Sequence, residues 1–352
     1  MRRLLWSVGM LVLCGCAAGQ KTAVDTPEVW MCHRAAPALG QEGAQWDFVK
    51  ANLDGCKLYI GAVRKCPPQK LADLLKVLKD NDIKVSLELG ATLGHVEVDY
   101  NNGLNSARRE LKAVDKIVAA GGRVDYLDMD GPVSRTLYSG RHRFDFDKKW
   151  DWQGFRSIEP CVDQLMVYMQ TVREQYPDIE FFTLTNFPNW GYKGQVSYHG
   201  RYENQQDWGD YFEVIKVIIR KSREADVPIR GVTVDNPYDY AIAEVPSAKL
   251  DDPGKIDWIG RVRDLEEYVE SQGLEFNLII NSQRGGRKSA QAFYTETLEF
   301  LEAYRARGGT PKRYMIQSWY RQPSEIVPET APYTMTALVK EVIKRVKHVG
   351  DE

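Results

Sequence analysis

Residues 124–133, VDYLDMDGPV, set Asp128 and Asp130 two apart at the end of a short apolar run, which Gly131 and Pro132 then break. Side chains on a strand alternate between faces, so the two aspartates share one face and Leu127 and Met129 the other. The same alternation places Ser86 with Glu88 in IKVSLELGAT, Thr233 with Asp235 in IRGVTVDNP, Asn281 in EFNLIINSQ, and Gln317 with Trp319 in KRYMIQSWY. Carboxylates are costly to bury alone, so Glu88, Asp128, Asp130 and Asp235 must be paired, protonated or put to use. Cations are scarce at the matching strand positions, and Arg34, Arg64 and Arg284 fall just beyond strand ends. A cluster of this kind is the expected form of a functional site.

The elements that would hold these residues recur along the chain. Eight β-branched or aromatic runs start near residues 29, 56, 83, 123, 179, 229, 275 and 312. Each is followed by a stretch of helical periodicity, as in Leu71, Leu74, Leu75 and Leu78, or Leu111, Val114, Ile117 and Val118. Strict strand–helix alternation implies parallel strands joined by crossover helices. Eight units closing on the helix PYTMTALVKEVIKRVKHV match an α/β fold of the (β/α)8 barrel type, a single TIM barrel over residues 28–350. The alternative, a doubly wound open sheet, would carry a glycine-rich phosphate loop after its first strand, and MCHRAAPALG is not one. In a barrel the apolar faces meet the helices, and the polar residues converge on the C-terminal rim where enzymes of this fold place their chemistry.

Two carboxyl groups, one neutral and one ionised, are the usual equipment for cleaving glycosidic bonds. The loops after strands four and five add aromatic side chains of the sort that pack on sugar faces: Tyr138, Phe144, Phe146, Trp150 and Trp152 in one, and Trp190, Tyr192, Tyr198, Tyr202 and Trp208 in the other. Asn281, Gln317 and Tyr238 are expected to bind hydroxyls, Trp319 to floor the central subsite, and Trp190, His33 and His95 to complete the substrate-binding set.

The stretch DYLDMD resembles the fourth strand of α-galactosidase-type retaining glycosidases, in which an Asp at the strand end is the nucleophile and an Asp after the sixth strand is the acid/base. The resemblance implies Asp130 as nucleophile, or as the group that activates a water, and Asp235 of VTVDNP as acid/base. Asp128 would then raise the pKa of whichever neighbour stays neutral, with Glu88 as the alternative acid. The Asp-x-Asp pattern also resembles, less well, the chitinase-like family, which carries a Trp at the eighth strand as Trp319 does here. That family has a Glu two residues beyond the second Asp, where this chain has Pro132. Both likenesses imply glycoside hydrolysis of an extracellular polysaccharide or oligosaccharide, without a cofactor.

Two other classes fit the same residues. One is a non-catalytic glycan-binding lipoprotein. The other is a metal-dependent sugar isomerase or hydrolase in which Glu88, Asp128, Asp130, Asp235 and His33 or His95 ligate a divalent ion, although no His-x-His or Glu-x-x-His pair is present. A formal net charge of −2 provides no basic footprint for nucleic acid.

The opening MRRLLWSVGMLVLCGCAAG has the pattern of a secretory signal, and Leu13-Cys14-Gly15-Cys16 resembles the bacterial lipobox with Cys16 as the lipidated residue. A signal over 1–16 and a tether over 17–27 are expected, with plain secretion and cleavage near Ala17 or Ala18 as the alternative. Such a chain would be exported and touch the membrane only through its anchor. Of Cys32, Cys56, Cys66 and Cys161, the pair Cys32 and Cys66 is expected to lie at the same ends of neighbouring strands and is the likelier bridge, with free buried thiols as an equal alternative. No spacing reads as a zinc site.

Overall fold

A computed structural model describes residues 26–92, 101–137, 154–198, 208–247 and 250–349. Eight parallel strands close into a barrel in sequence order: β1 (Glu28–His33), β2 (Gly55–Tyr59), β3 (Lys84–Leu89), β4 (Tyr126–Asp130), β5 (Glu180–Asn186), β6 (Gly231–Asp235), β7 (Glu275–Ile280) and β8 (Arg313–Ser318), with β8 pairing back onto β1. The helices used below are α1 (Asp47–Asn52), α2 (Ile60–Lys65), α3 (Pro68–Asp80), α4 (Asn102–Ala119), α5 (Ile158–Gln175), α6 (Tyr211–Glu224), α7 (Tyr238–Ala241), α8 (Trp258–Ser271), α9 (Gln283–Lys288), α10 (Ala290–Ala306) and α11 (Met335–Lys347).

Alternation sorts each strand as expected. Outward residues such as Val29, Met31, Leu127, Met129, Val232, Val234, Leu278 and Ile316 join the main core with the apolar stripes of the helices, for example Leu71, Leu74, Leu75 and Leu78 of α3. Inward residues form a separate small cluster of Trp30, Tyr126, Phe182, Leu184, Ile279 and Met315, which fills the barrel below the polar rim. Gly55 admits the Trp30 indole, because a Cβ there would lie 2.3 Å from the ring.

The N-terminal end is plugged. Arg313, 2% exposed, donates to Glu28 Oε2 at 2.7 Å and to Asn277 Oδ1 at 3.2 Å and pairs with Glu275. Its guanidinium lies 5.6, 5.2 and 5.1 Å from the ring centroids of Trp30, Tyr126 and Phe182. A buried arginine survives there because both charge and planar faces are matched.

Two expectations change. The run CKLYIGAVR is not one strand: β2 ends at Tyr59, and IGAVRK forms α2. Cys32, Cys56, Cys66 and Cys161 are all free and buried. Cys32 faces the barrel interior beside Lys57, whereas Cys66 follows α2 outside the barrel, so of the two alternatives the free thiols are the one found.

Candidate active site

The four carboxylates converge on the C-terminal rim. Ladder register sets Glu88 of β3 beside Asp128 of β4 on one side and Tyr59 of β2 on the other, and Asp235 of β6 beside Asn186 of β5. Asn186 is a further rim residue that the same alternation would have found.

The centre of the cluster is a residue outside the expected set. Lys57 on β2 is fully buried, and its Nζ lies 2.8 Å from Glu88 Oε2 and 2.8 Å from Asp128 Oδ2. Burial alone would lower its pKa, but the Asp128 and Glu88 carboxylates more than reverse this and hold the ammonium above the ordinary lysine range. The apparent scarcity of cations is therefore corrected: one ammonium neutralises much of the charge of two carboxylates. Its ion pairing also argues against an amine nucleophile, which needs a depressed pKa.

Glu88 additionally accepts from Gln317 Nε2 at 3.0 Å. Burial raises its pKa, Lys57 opposes this, and the Asp130 and Asp128 carboxylates push it up again. The strand end carrying Glu88 is pinned by Glu110 of α4, which accepts from Gly90 N at 3.2 Å, Ala91 N at 3.1 Å and Tyr168 Oη at 3.0 Å. Ala91 sits at φ +55°, a left-handed conformation that these bonds help to hold. Burial pushes the Glu110 carboxyl up to about 7 despite its donors.

Asp130 and Asp235 occupy opposite settings. Asp130, partly exposed, pairs through Oδ2 with Arg135, whose Nε also donates to the Asp130 carbonyl at 2.7 Å. Among the described residues Asp235 has no cation in contact; Asn281 Nδ2 donates to its Oδ1 at 3.2 Å. Burial pushes Asp235 up to about 7, with the Glu88 and Asp130 carboxylates adding to the rise and Asn281 and Lys57 opposing it. A fraction of Asp235 thus keeps its proton near neutral pH, while Asp130 is ion-paired.

Around these carboxylates lie buried oxygens with no partner among the described residues: Asp128 Oδ1, Asn281 Oδ1 and Gln317 Oε1. All three accept hydrogen bonds. Leaving such atoms unsatisfied costs about 1–3 kcal/mol each, so the mouth is matched to a ligand rich in O–H donors.

Several expected binding residues are placed elsewhere. His33 points outward from β1 and is 1% exposed; its Nε2 donates to Pro323 O at 3.0 Å and its Nδ1 accepts from Ala35 N at 3.1 Å. Both nitrogens are thus committed to backbone, and burial pushes the ring down to about 4. Trp190 is core rather than subsite, 4% exposed and packed 5.6 Å from the Tyr211 ring. Tyr192, Tyr198 and Trp208 of the same loop are also buried. Tyr238 turns toward α10, with its ring 6.0 Å from Phe300. Trp319 is the contrast: 63% exposed at the rim, it lies 5.5 Å from the Tyr59 ring. His95, Cys16, Tyr202 and the fourth-loop aromatics from Tyr138 to Trp152 lie outside the described residues. Among the described residues no helix is long and apolar enough to cross a membrane.

No protein-family model and no curated protein matches the chain. Solved structures similar to it include xylanase B from Clostridium stercorarium F9, with 11% identity, 85% of this chain and 89% of that chain covered, and a TM-score of 0.47. A psychrophilic glycoside hydrolase family 10 endo-β-1,4-xylanase has 11% identity, covers 89% of this chain and 90% of its own, and has a TM-score of 0.48. A D-psicose 3-epimerase has 8% identity, 91% and 97% coverage, and a TM-score of 0.40. Likenesses at this level do not separate one barrel chemistry from another.

Proposed function

We propose that the protein is a glycoside hydrolase acting on a polysaccharide or oligosaccharide. The observation that carries the reading is the pair of carboxyls in opposed settings, with Asp235 raised to about 7 and Asp130 held against Arg135. Asp235 supplies the proton to the leaving oxygen as the glycosidic bond breaks. Asp130, ion-paired with Arg135, attacks the anomeric carbon or activates a water, and burial, with the Glu88 and Asp130 carboxylates adding to it, favours the protonated form of Asp235. Asp128 is locked to Lys57 through one oxygen and offers the other to a substrate hydroxyl. Asn281 and Gln317 offer their free carbonyl oxygens in the same way.

The reading extends to an exported protein anchored through Cys16, resting on the signal-like opening of the chain alone. The metal-dependent alternative is less well supported, because the position between Glu88 and Asp128 is taken by the Lys57 ammonium.

A glycan-degradation screen of the purified protein beside Asp130→Asn and Asp235→Asn, read by mass spectrometry of released products, tests this. Product from the parent and none from either variant is the expected result. Glycan binding with no product from the parent over a long incubation would replace hydrolysis with a binding role.

A further inference from the structure

A second concavity adjoins the carboxylate cluster. It has a volume of about 660 Å³, within the range of about 300–1,000 Å³ usual for small-molecule sites, and lies between the segment after β1, the α2–α3 corner and the end of β8. Trp319 and Tyr59 form one wall, and Pro37, Ala38 and Pro67 contribute an apolar floor.

The wall is shared with the candidate active site. Tyr59 is in register with Glu88, and Trp319 lies two residues beyond Gln317, which donates to Glu88. A saccharide whose scissile bond lay over Asp130 and Asp235 would continue into this cavity. The exposed indole of Trp319, backed by Tyr59, presents a flat face of the kind on which pyranose rings pack.

The charge of the cavity is one-sided. Arg34, Lys65 and Lys70 line it, no Asp or Glu does, and none of the three cations has a carboxylate partner among the described residues. Arg34 is steadied by its bond to Arg321 O at 3.1 Å. The first turn of α3, with no side-chain cap and no acidic residue, borders the same space through Lys70. Across a chain of net charge −2, a pocket with no carboxylate among its described lining residues and three cations without carboxylate partners is a field made for an anion.

We infer that this cavity is a subsite for an acidic sugar residue, bearing a carboxylate or a sulfate ester, of the same chain that the carboxylate cluster would cleave. The inference rests on the glycosidase reading and narrows its substrate class to acidic glycans. Trp319 carries the ring, and Arg34, Lys65 and Lys70 read the charge.

The test is calorimetric titration of Asp235→Asn protein with tetragalacturonide, a sulfated galactose tetrasaccharide and neutral galactotetraose, at low and high salt. At least one acidic ligand is expected to bind about tenfold more tightly than the neutral one, with the advantage shrinking at high salt. Adding Lys65→Gln with Lys70→Gln is expected to remove about tenfold of the acidic affinity, and Trp319→Ala to weaken acidic and neutral ligands alike. Which acidic ligand responds tells carboxylate from sulfate. Equal binding of acidic and neutral ligands, or an acidic advantage untouched by the double lysine variant, overturns the subsite even if the parent hydrolyses neutral glycans. Acidic binding that depends on the lysines, with no product from the parent on any glycan, upholds the subsite and overturns the glycosidase reading.

Discussion

Asp235→Asn is a replacement that should remove catalysis and strengthen the fold, and pH separates the two effects. The Asp235 carboxyl rises from 3.8 to about 7 in the folded protein, so the native state prefers the protonated form. A raised pKa contributes stability that is complete below the unfolded value and is lost as pH climbs through the folded value. About three pH units at about 1.4 kcal/mol each make the loss about 4 kcal/mol between roughly pH 4 and pH 7. Asparagine has nothing to ionise and keeps the oxygen that accepts from Asn281. The variant should match the parent near pH 4 and exceed it by about 4 kcal/mol at pH 8. For 352 residues this corresponds to about 6 °C in Tm. Glu110, also raised to about 7, titrates in the same window, but it is common to both proteins and cancels in the difference. Urea unfolding of both proteins at pH 4 and pH 8 measures it. A difference that is the same at both pH values, or absent at pH 8, would refute the claim that the fold holds a proton on Asp235, and the acid role would fall with it. In the parent, kcat/KM should decline above about pH 7 as that proton is lost.

Other changes probe the rest of the site. Lys57→Met leaves Glu88 and Asp128 buried without their cation and should cost about 3–5 kcal/mol at pH 7.5, with a smaller loss at pH 5 where Glu88, raised by burial, takes up a proton more readily; urea midpoints at the two pH values check this. His33→Ala should destabilise by about 1–3 kcal/mol, because it orphans backbone groups at Ala35 and Pro323, and should leave KM unchanged; a raised KM at unchanged stability would return His33 to the substrate site. Trp190→Ala should cost about 3–5 kcal/mol as a core cavity, read by thermal melting with glycan affinity measured in parallel. Reductant should leave Tm unchanged, and thiol titration of Cys32, Cys56 and Cys161 should require denaturant, since these thiols are free and buried.

Strand parity makes much of the rim legible from the sequence. The two-residue period of β3, β4, β6 and β8 brings Glu88, Asp128, Asp130, Asp235 and Gln317 to one end. Lys57 obeys the same rule between outward Cys56 and Leu58, but its strand merges in sequence with the helix that follows at Ile60, so its inward position was hidden. His33 fails for the complementary reason: proximity to a strand end suggested the site, whereas parity turns it away. Trp190 shows a different limit, because the burial of a loop aromatic depends on what packs over it, here Tyr211 and Trp208. The Cys32 and Cys66 pairing failed because α2 replaces the end of the anticipated strand and carries Cys66 outside the barrel.

The Arg313 stack at the base of the barrel also sets how a long molecule can be handled. With Glu28, Glu275 and three aromatic rings closed around that guanidinium, the barrel is a cup rather than a tube. If the protein acts on a polymer as proposed, that polymer would have to lie across the lip, entering and leaving on the same side. On the glycosidase reading, a glycan draped over that mouth would be both substrate and stopper.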